Sequence, residues 1–230
     1  MADIIEELLD DPIVGVDVFH ATDDTGLLPE ERSAASSLSR ERRLKFAAVR
    51  DCARQGLRRL GVGAAPILRG AAGEPLWPAG VVGSMTHCSG YHAAAVARAD
   101  QVAAIGIDAE VNRPLRYREM LDLVATAQER AWVAEFESAY PQVSWARLVF
   151  TAKESLFKAW FSVTGQSLGL GEIVVEVNPL SGEFHARTSA SPGRGRDALS
   201  DRWSGRWMAR DGLLVAAVSM RRSGQMQEDG

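Results

Sequence analysis

Three short stretches carry side chains that can do chemistry together. In Ile105-Gly106-Ile107-Asp108-Ala109-Glu110 an apolar strand runs straight into two carboxylates. Residues i and i+2 of an extended chain point to the same side, so Asp108 and Glu110 present their carboxylates together at a strand end. Close carboxylates repel unless a cation sits between them, and a hard divalent ion such as Mg2+ is the natural occupant. Two solvated acids at a strand terminus are the ordinary alternative. The second stretch, Phe150 to Phe161, reads FTAKESLFKAWF. As a helix it puts Leu156, Ala159 and Trp160 on the core stripe, while Glu154 and Lys158 share another face with Lys153 beside them. That spacing suits an i,i+4 ion pair worth about 0.2–0.5 kcal/mol. The sharper reading is a third metal carboxylate flanked by two phosphate-binding ammonium groups. The third stretch, Gly83 to Tyr91 (GSMTHCSGY), offers small residues, hydroxyls and His87 at a strand-to-loop turn, where backbone N–H groups and an imidazole can meet an anion.

These groups need elements to hold them. Residues 3–9 read as a short acidic helix start, and VGVDVF (14–19) alternates as a strand. From Pro29 to Leu60 the pattern is helical and strongly amphipathic, with Leu44, Ala47, Ala48, Cys52, Gln55 and Leu57 to Leu60 on one side. Arg42, Arg50, Arg54 and Arg58 recur at spacings of eight and four and share another side. Gly61 ends that helix. Residues 64–80 read as strand and turns; 81–86, 93–97, 102–108 and 172–177 read as strands; 116–138 and 144–162 read as helices. Residues 187–201 suggest a mobile loop, RWSGRWMA and GLLVAAVSM a closing hairpin, and RRSGQMQEDG a disordered tail. Strands and helices mix without a regular βαβ rhythm, so the fold class is α+β.

Composition bounds the setting. The chain has 230 residues, 46% of them hydrophobic and 24% charged, with a net charge of −4. That is enough apolar material for one large domain or two small ones. No apolar run is long enough for a membrane span, and the acidic N-terminus lacks the pattern of a secretory signal, so the expected location is cytoplasmic. Mild acidity argues against nucleic acid as a partner. Cys52 and Cys88 suit buried reduced thiols rather than a disulfide framework or zinc site. Arginine is the habitual cation; the lysines are Lys45, Lys153 and Lys158 alone. Two of them flank Glu154, where a compact ammonium has a use that a guanidinium does not serve. Three carboxylates, two lysines, a histidine and an arginine-lined helix describe a metal-assisted site for a polyphosphate ligand.

In this order and spacing, GSMTHC, IGIDAE and FTAKESLFKAWF resemble the successive motifs of the phosphopantetheinyl transferases. The likeness is to the larger, monomeric type, nearest its actinobacterial and siderophore-synthetase-associated branch. It extends into RRLKFAAVRDCAR (42–54) and APILRGAAGEPLWP (65–78). The resemblance implies transfer of the 4'-phosphopantetheine arm of coenzyme A to a serine of an acyl, peptidyl or polyketide carrier protein, leaving adenosine 3',5'-bisphosphate. It implies two similar α+β halves about a pseudo-two-fold axis, 1–101 and 102–222, with 223–230 as a tail.

The resemblance also carries residue roles. Asp108, Glu110 and Glu154 match ligands of Mg2+, or Mn2+. Glu154 also matches the general base, Lys158 the lysine at the α-phosphate, and Lys153 the lysine paired with the acid; both lysines count among the coenzyme A contacts. His87 matches the contact to the 3'-phosphate, with Arg42, Arg50 and Arg69 as further phosphate grips. Thr86 stands at the hydroxyl position before the histidine, and Gly73, Glu74 and Pro75 line the adenine. Arg69 stands where relatives often have Lys, and Ala72 where a basic residue is common. Ala109 cannot supply a ligand, so water must complete the shell. Arg116, Arg118, Met120 and Leu121 are candidates for the carrier-facing surface. A metal-dependent hydrolase of coenzyme A or a related nucleotide pyrophosphate is the alternative reading, and a non-enzymatic coenzyme A-binding module a third.

Overall fold

The computed structural model describes residues 4–20, 23–115, 118–188 and 202–222, with the backbone alone for 118–120. The elements are β1 (Val14–Phe19), α1 (Pro29–Ala34), α2 (Arg40–Arg59), β2 (Leu68–Arg69), β3 (Pro75–Leu76), β4 (Val81–Cys88), β5 (Tyr91–Arg98), β6 (Val102–Val111), α3 (Arg118–Val124), α4 (Ala127–Ala139), α5 (Trp145–Thr164), β7 (Ile173–Val177), β8 (Glu183–Thr188), β9 (Arg202–Arg210) and β10 (Leu213–Arg221). This is the expected α+β mixture.

One layout occurs twice. A strand (β1, β6) is followed by a 20-residue helix (α2, α5) and a hairpin (β4–β5, β9–β10) whose second strand pairs antiparallel with the first strand. The sheets run β1-β5-β4 and β6-β10-β9-β8-β7, the hairpin β7–β8 being an addition to the second. In the closing hairpin, Asp211 and Gly212 both take positive φ (50° and 76°), the backbone that a tight two-residue turn demands.

The sheets meet along β4 and β6. Ser84 Oγ accepts from the Ile107 N–H and Thr86 Oγ1 from the Ala109 N–H, each at 3.1 Å. A step of two on both strands means that they run parallel. Among the described residues, side-chain hydroxyls make this join in place of a backbone ladder.

Strand β6 is buried on both faces. Its odd positions, Ile105, Ile107 and Ala109, pack with Leu213 and Val215 of β10, with Tyr91, Ala93 and Ala95 of β5, and with Ile4, Ile5 and Leu8. Its even face lies against α5, whose Leu148, Val149, Leu156 and Trp160 are buried in the second core. Each such side chain contributes about 1.5–3 kcal/mol on leaving water. Gly106 makes the close approach possible: a Cβ there would lie 1.8 Å from the Ser155 carbonyl oxygen. Asp108 and Glu110 follow on the same face, so the glycine brings the helix down beside the acids.

Several boundaries differ from the sequence reading. The single helix expected over 29–60 breaks between α1 and α2, because the Ser39 hydroxyl accepts from the Arg42 N–H and starts a new helix. The helix expected over 116–138 breaks at Ala125-Thr126, where Thr126 and Glu129 form a reciprocal cap. Strand β4 continues through His87 and Cys88, expected as a turn, and β6 continues past Asp108 to Val111. Arg187 and Thr188 belong to β8, while the rest of the loop expected over 187–201, up to Asp201, and the tail at 223–230 lie outside the described residues. Among the described residues no helix is long and apolar enough to cross a membrane.

Candidate active site

The even face of β6 meets α5 in an acidic cluster. Asp108 is 7% exposed. Its Oδ1 accepts from Lys158 Nζ at 2.8 Å and from the Thr86 hydroxyl at 3.1 Å. Its Oδ2 is buried with no hydrogen-bond partner among the described residues. Glu110 is half-buried and accepts at Oε2 from Arg147 Nη1 at 2.8 Å. Burial raises its pKa, and the charge on Asp108 raises it further. Glu154, also half-buried, is raised by burial first, then by Asp108, with Glu110 adding. The three acids therefore share one electrostatic neighbourhood. Among the described residues no three acidic, imidazole or thiol groups are closed up as a metal cage; the cation against Asp108 is the Lys158 ammonium.

Lys158 and Lys153 part company. Lys158 also reaches the Ile107 carbonyl at 3.0 Å and approaches the Met85 carbonyl at 3.5 Å, so it spans the β4–β6 join while staying partly open to solvent. Lys153 is fully buried and bonds Glu129 Oε2 at 2.8 Å and the Val124 carbonyl. The expectation that paired Lys153 with the acid of the site is corrected: its acid is Glu129. Neighbouring helical positions diverge by about 100°, which sends Glu154 toward β6 and Lys153 toward α4. The i,i+4 pair expected between Glu154 and Lys158 is likewise replaced by the pair of Lys158 with Asp108.

The expected phosphate grips lie in the first half. His87 is exposed on β4, opposite His92 of β5, with ring centroids 6.3 Å apart. Crowding of the ring lowers the His87 pKa, and Lys45 and Lys158 add to that. His92 is buried and pushed down to about 4, chiefly by desolvation. Arg50 is only 2% exposed. It donates to the Ile67 carbonyl at 2.7 Å and the Phe46 carbonyl at 3.2 Å, its guanidinium carbon 3.2 Å from the Phe46 ring centroid. Burial lowers its pKa to about 10. Arg69, exposed, lies 5.4 Å from the same centroid, so Phe46 gathers both arginines. Arg42 is exposed in the first turn of α2.

The arginine row on α2 is not one uniform face. Arg42 and Arg58 are exposed, whereas Arg54 is buried against Glu31 at 2.6 Å. The turn between β2 and β3 closes on itself. Gly73 takes φ +89°, the Glu74 carboxylate accepts from the Ala72 N–H at 2.9 Å, and Pro75 opens β3. Thr86 is buried on β4 against β6, its hydroxyl accepting from the Ala109 N–H and donating to Asp108, so it positions the acid.

Arg147 escaped the sequence reading. From the first turn of α5 it bonds Glu110, the Arg113 carbonyl at 2.7 Å and the Pro114 carbonyl at 3.2 Å. Its position seven residues before Glu154 places it on the same helical face, and that was the available signal. Of the carrier-facing candidates, Arg116 lies outside the described residues, Arg118 and Met120 lie in α3, and Leu121 packs against the second core. Leu123, not anticipated, is 80% exposed.

Comparison with known proteins places the chain. Residues 30–97 match the 4'-phosphopantetheinyl transferase N-terminal domain, and residues 104–205 match the 4'-phosphopantetheinyl transferase superfamily. The chain is 46% identical to 4'-phosphopantetheinyl transferase Svp of Streptomyces mobaraensis over 195 residues, covering 84% of this chain and 78% of the relative. It is 39% identical to 4'-phosphopantetheinyl transferase PptT of Mycobacterium tuberculosis over 86% of this chain and 88% of that one. Enterobactin synthase component D of Escherichia coli is 36% identical over about half of each chain (52% and 55%). The chain belongs to the 4'-phosphopantetheinyl transferase family and is an enzyme of that class. These relatives lend no support to the hydrolase reading.

Proposed function

We propose that the protein transfers the 4'-phosphopantetheine arm of coenzyme A to the serine hydroxyl of an apo acyl, peptidyl or polyketide carrier protein. A bond forms between the serine oxygen and the β-phosphorus, the pyrophosphate P–O bond breaks, and adenosine 3',5'-bisphosphate leaves. The serine proton passes to Glu154 directly or through one water, because a hydroxyl is a poor nucleophile until a base takes its proton. Lys158, partly open to solvent, is placed to meet the charge that develops on the leaving phosphate. Thr86 holds the Asp108 carboxylate in place. His87, Arg42, Arg50 and Arg69 grip the 3'-phosphate and pyrophosphate, and residues 73–75 line the adenine. This divides the labour between 1–101, which holds the nucleotide, and 102–222, which does the chemistry.

The acidic cluster suits Mg2+ or Mn2+. Asp108 Oδ2 is a buried acceptor with no hydrogen-bond partner among the described residues, and the neighbouring ligand atoms are hard carboxylate oxygens. Asp108, Glu110 and Glu154 would hold the ion, which when bound polarises the pyrophosphate oxygens. We read the enzyme as cytoplasmic, and as a monomer because both of its halves lie in one chain.

The observation that carries this reading is the meeting of Asp108, Glu110 and Glu154 beside Lys158 in a chain of this family. Intact-mass measurement of an apo carrier incubated with the protein, coenzyme A and Mg2+ tests it. A gain of one phosphopantetheine mass, abolished by EDTA, is expected; no gain on peptidyl, acyl and polyketide carriers alike would overturn it.

A further inference from the structure

The geometry points to Arg147 as a positioning residue that sets the carboxylate of Glu110 for the metal, an inference that rests on the metal-binding reading above. One guanidinium makes three directed bonds. Its Nη1 donates to Glu110 Oε2 at 2.8 Å, its Nε to the Arg113 carbonyl at 2.7 Å and its Nη2 to the Pro114 carbonyl at 3.2 Å. The arginine is mostly enclosed, with 12% of its side-chain surface open against 29% for Glu110. It stands on α5, the helix that carries Glu154, whereas all its acceptors lie on β6 or the turn that leaves it.

The neighbourhood is built to keep that turn still. Asn112 donates from Nδ2 to the Gln142 carbonyl at 2.8 Å and accepts at Oδ1 from the Ser144 N–H at 2.9 Å. The chain leaving β6 is thus fastened at 112, 113 and 114 to the start of α5. Glu110 therefore cannot change rotamer without breaking its bond to Arg147 Nη1, while the other two bonds hold that guanidinium in place. Among the described residues only one oxygen of Glu110 is engaged, which leaves Oε1 for a metal. A guanidinium suits this work because its donors are fixed in one plane, while the three donors of an ammonium turn freely on a flexible stem and fix no angle.

The fork also opposes the repulsion within the cluster. The guanidinium, 2.8 Å from Glu110 Oε2, places a positive charge against that of the neighbouring carboxylates. Arg147 thus differs from Lys158, which touches Asp108 but remains open enough to turn toward a ligand.

Mn2+ titration followed by electron paramagnetic resonance, with coenzyme A present and no carrier protein, tests this without turnover. The proteins are wild type, Glu110→Gln, Arg147→Met, Arg147→Lys and the double variant Glu110→Gln/Arg147→Met. Arg147→Met is expected to weaken Mn2+ binding about 10-fold with the coenzyme A affinity within twofold of wild type. Arg147→Lys should fall between the two, and carries the test if the methionine variant does not fold. In the Glu110→Gln background, loss of Arg147 should add nothing, because its effect runs through that carboxylate. Mn2+ binding unchanged or tightened in both Arg147 variants, or an undiminished further loss in the double variant, would overturn the assignment. Absence of Mn2+ binding to wild type would instead defeat the metal reading itself, and the two failures are thereby told apart.

Discussion

Glu31 in the first half and Glu129 in the second are built into the same clamp with different cations. Each stands at the third position of a short helix and turns one oxygen back to the N–H that starts it, Leu28 at 3.0 Å and Thr126 at 2.6 Å. Each offers its other oxygen to a distant backbone N–H, Ile67 at 2.9 Å and Val175 at 2.8 Å. Each receives a cation from the long helix, Arg54 at 2.6 Å and Lys153 at 2.8 Å, and each cation also bonds a carbonyl just before its partner's helix, Gly26 and Val124. Both pairs are sealed from water. The lesson concerns the KExxxK stretch. Lys153 is the counterpart of a structural arginine, while Lys158, partly open to solvent and bonded to Asp108, is the lysine to which the proposed function gives a part in the chemistry.

Burial decides what each pair does. Sealed ions require full hydrogen bonding to persist, so breaking one leaves an uncompensated charge that costs about 3–5 kcal/mol. Glu129→Ala and Glu31→Ala should each lower unfolding free energy by about that amount in urea titrations. Lys153→Met should do the same. A Lys153→Met protein of unchanged stability that no longer binds coenzyme A would break the comparison and return Lys153 to the ligand site.

The next effect in size is steric. Gly106→Ala forces a methyl into the Ser155 carbonyl and should destabilise by about 3 kcal/mol or more, with a fall in transfer rate as α5 is pushed from the acids. Gly56, the close contact of α2 in the other half, would place a Cβ 2.6 Å from a Val96 side-chain methyl rather than from backbone. Gly56→Ala should therefore cost less, and calorimetric scans of the two variants would show the difference.

The smallest effects lie at the join of the halves. Thr86→Val removes the acceptor of the Ala109 N–H and the donor to Asp108, and should cost about 1–3 kcal/mol while slowing transfer. Ser84→Ala removes only the acceptor of the Ile107 N–H and should cost about 1 kcal/mol with transfer little changed. Equal slowing of transfer by both would mean that Thr86 acts on the fold rather than on Asp108.

What could be read in the sequence was local. Asp108 and Glu110 were placed together by the two-residue period of a strand, and Glu154 and Lys158 on one face by the period of a helix. The division between Lys153 and Lys158 was not readable, because the acid that claims Lys153 sits 24 residues away in sequence. The arginine row on α2 failed in the same way: Glu31 claims Arg54 from 23 residues off. Ser84 and Thr86 lie in the stretch read as an anion-binding turn, and only the arrival of β6 alongside β4 makes their hydroxyls a seam. Arg147 was hidden because arginine is common here and its partners lie on another element.

The account stands or falls on the cluster where β6 meets α5. The most direct measurement is the rate at which Glu154→Gln loads an apo carrier, followed by intact mass beside wild type, with unfolding and coenzyme A binding recorded on the same sample. The account predicts a folded protein that still binds coenzyme A and transfers at least about 100-fold more slowly, the scale of a lost general base. Transfer at a rate close to wild type would contradict it.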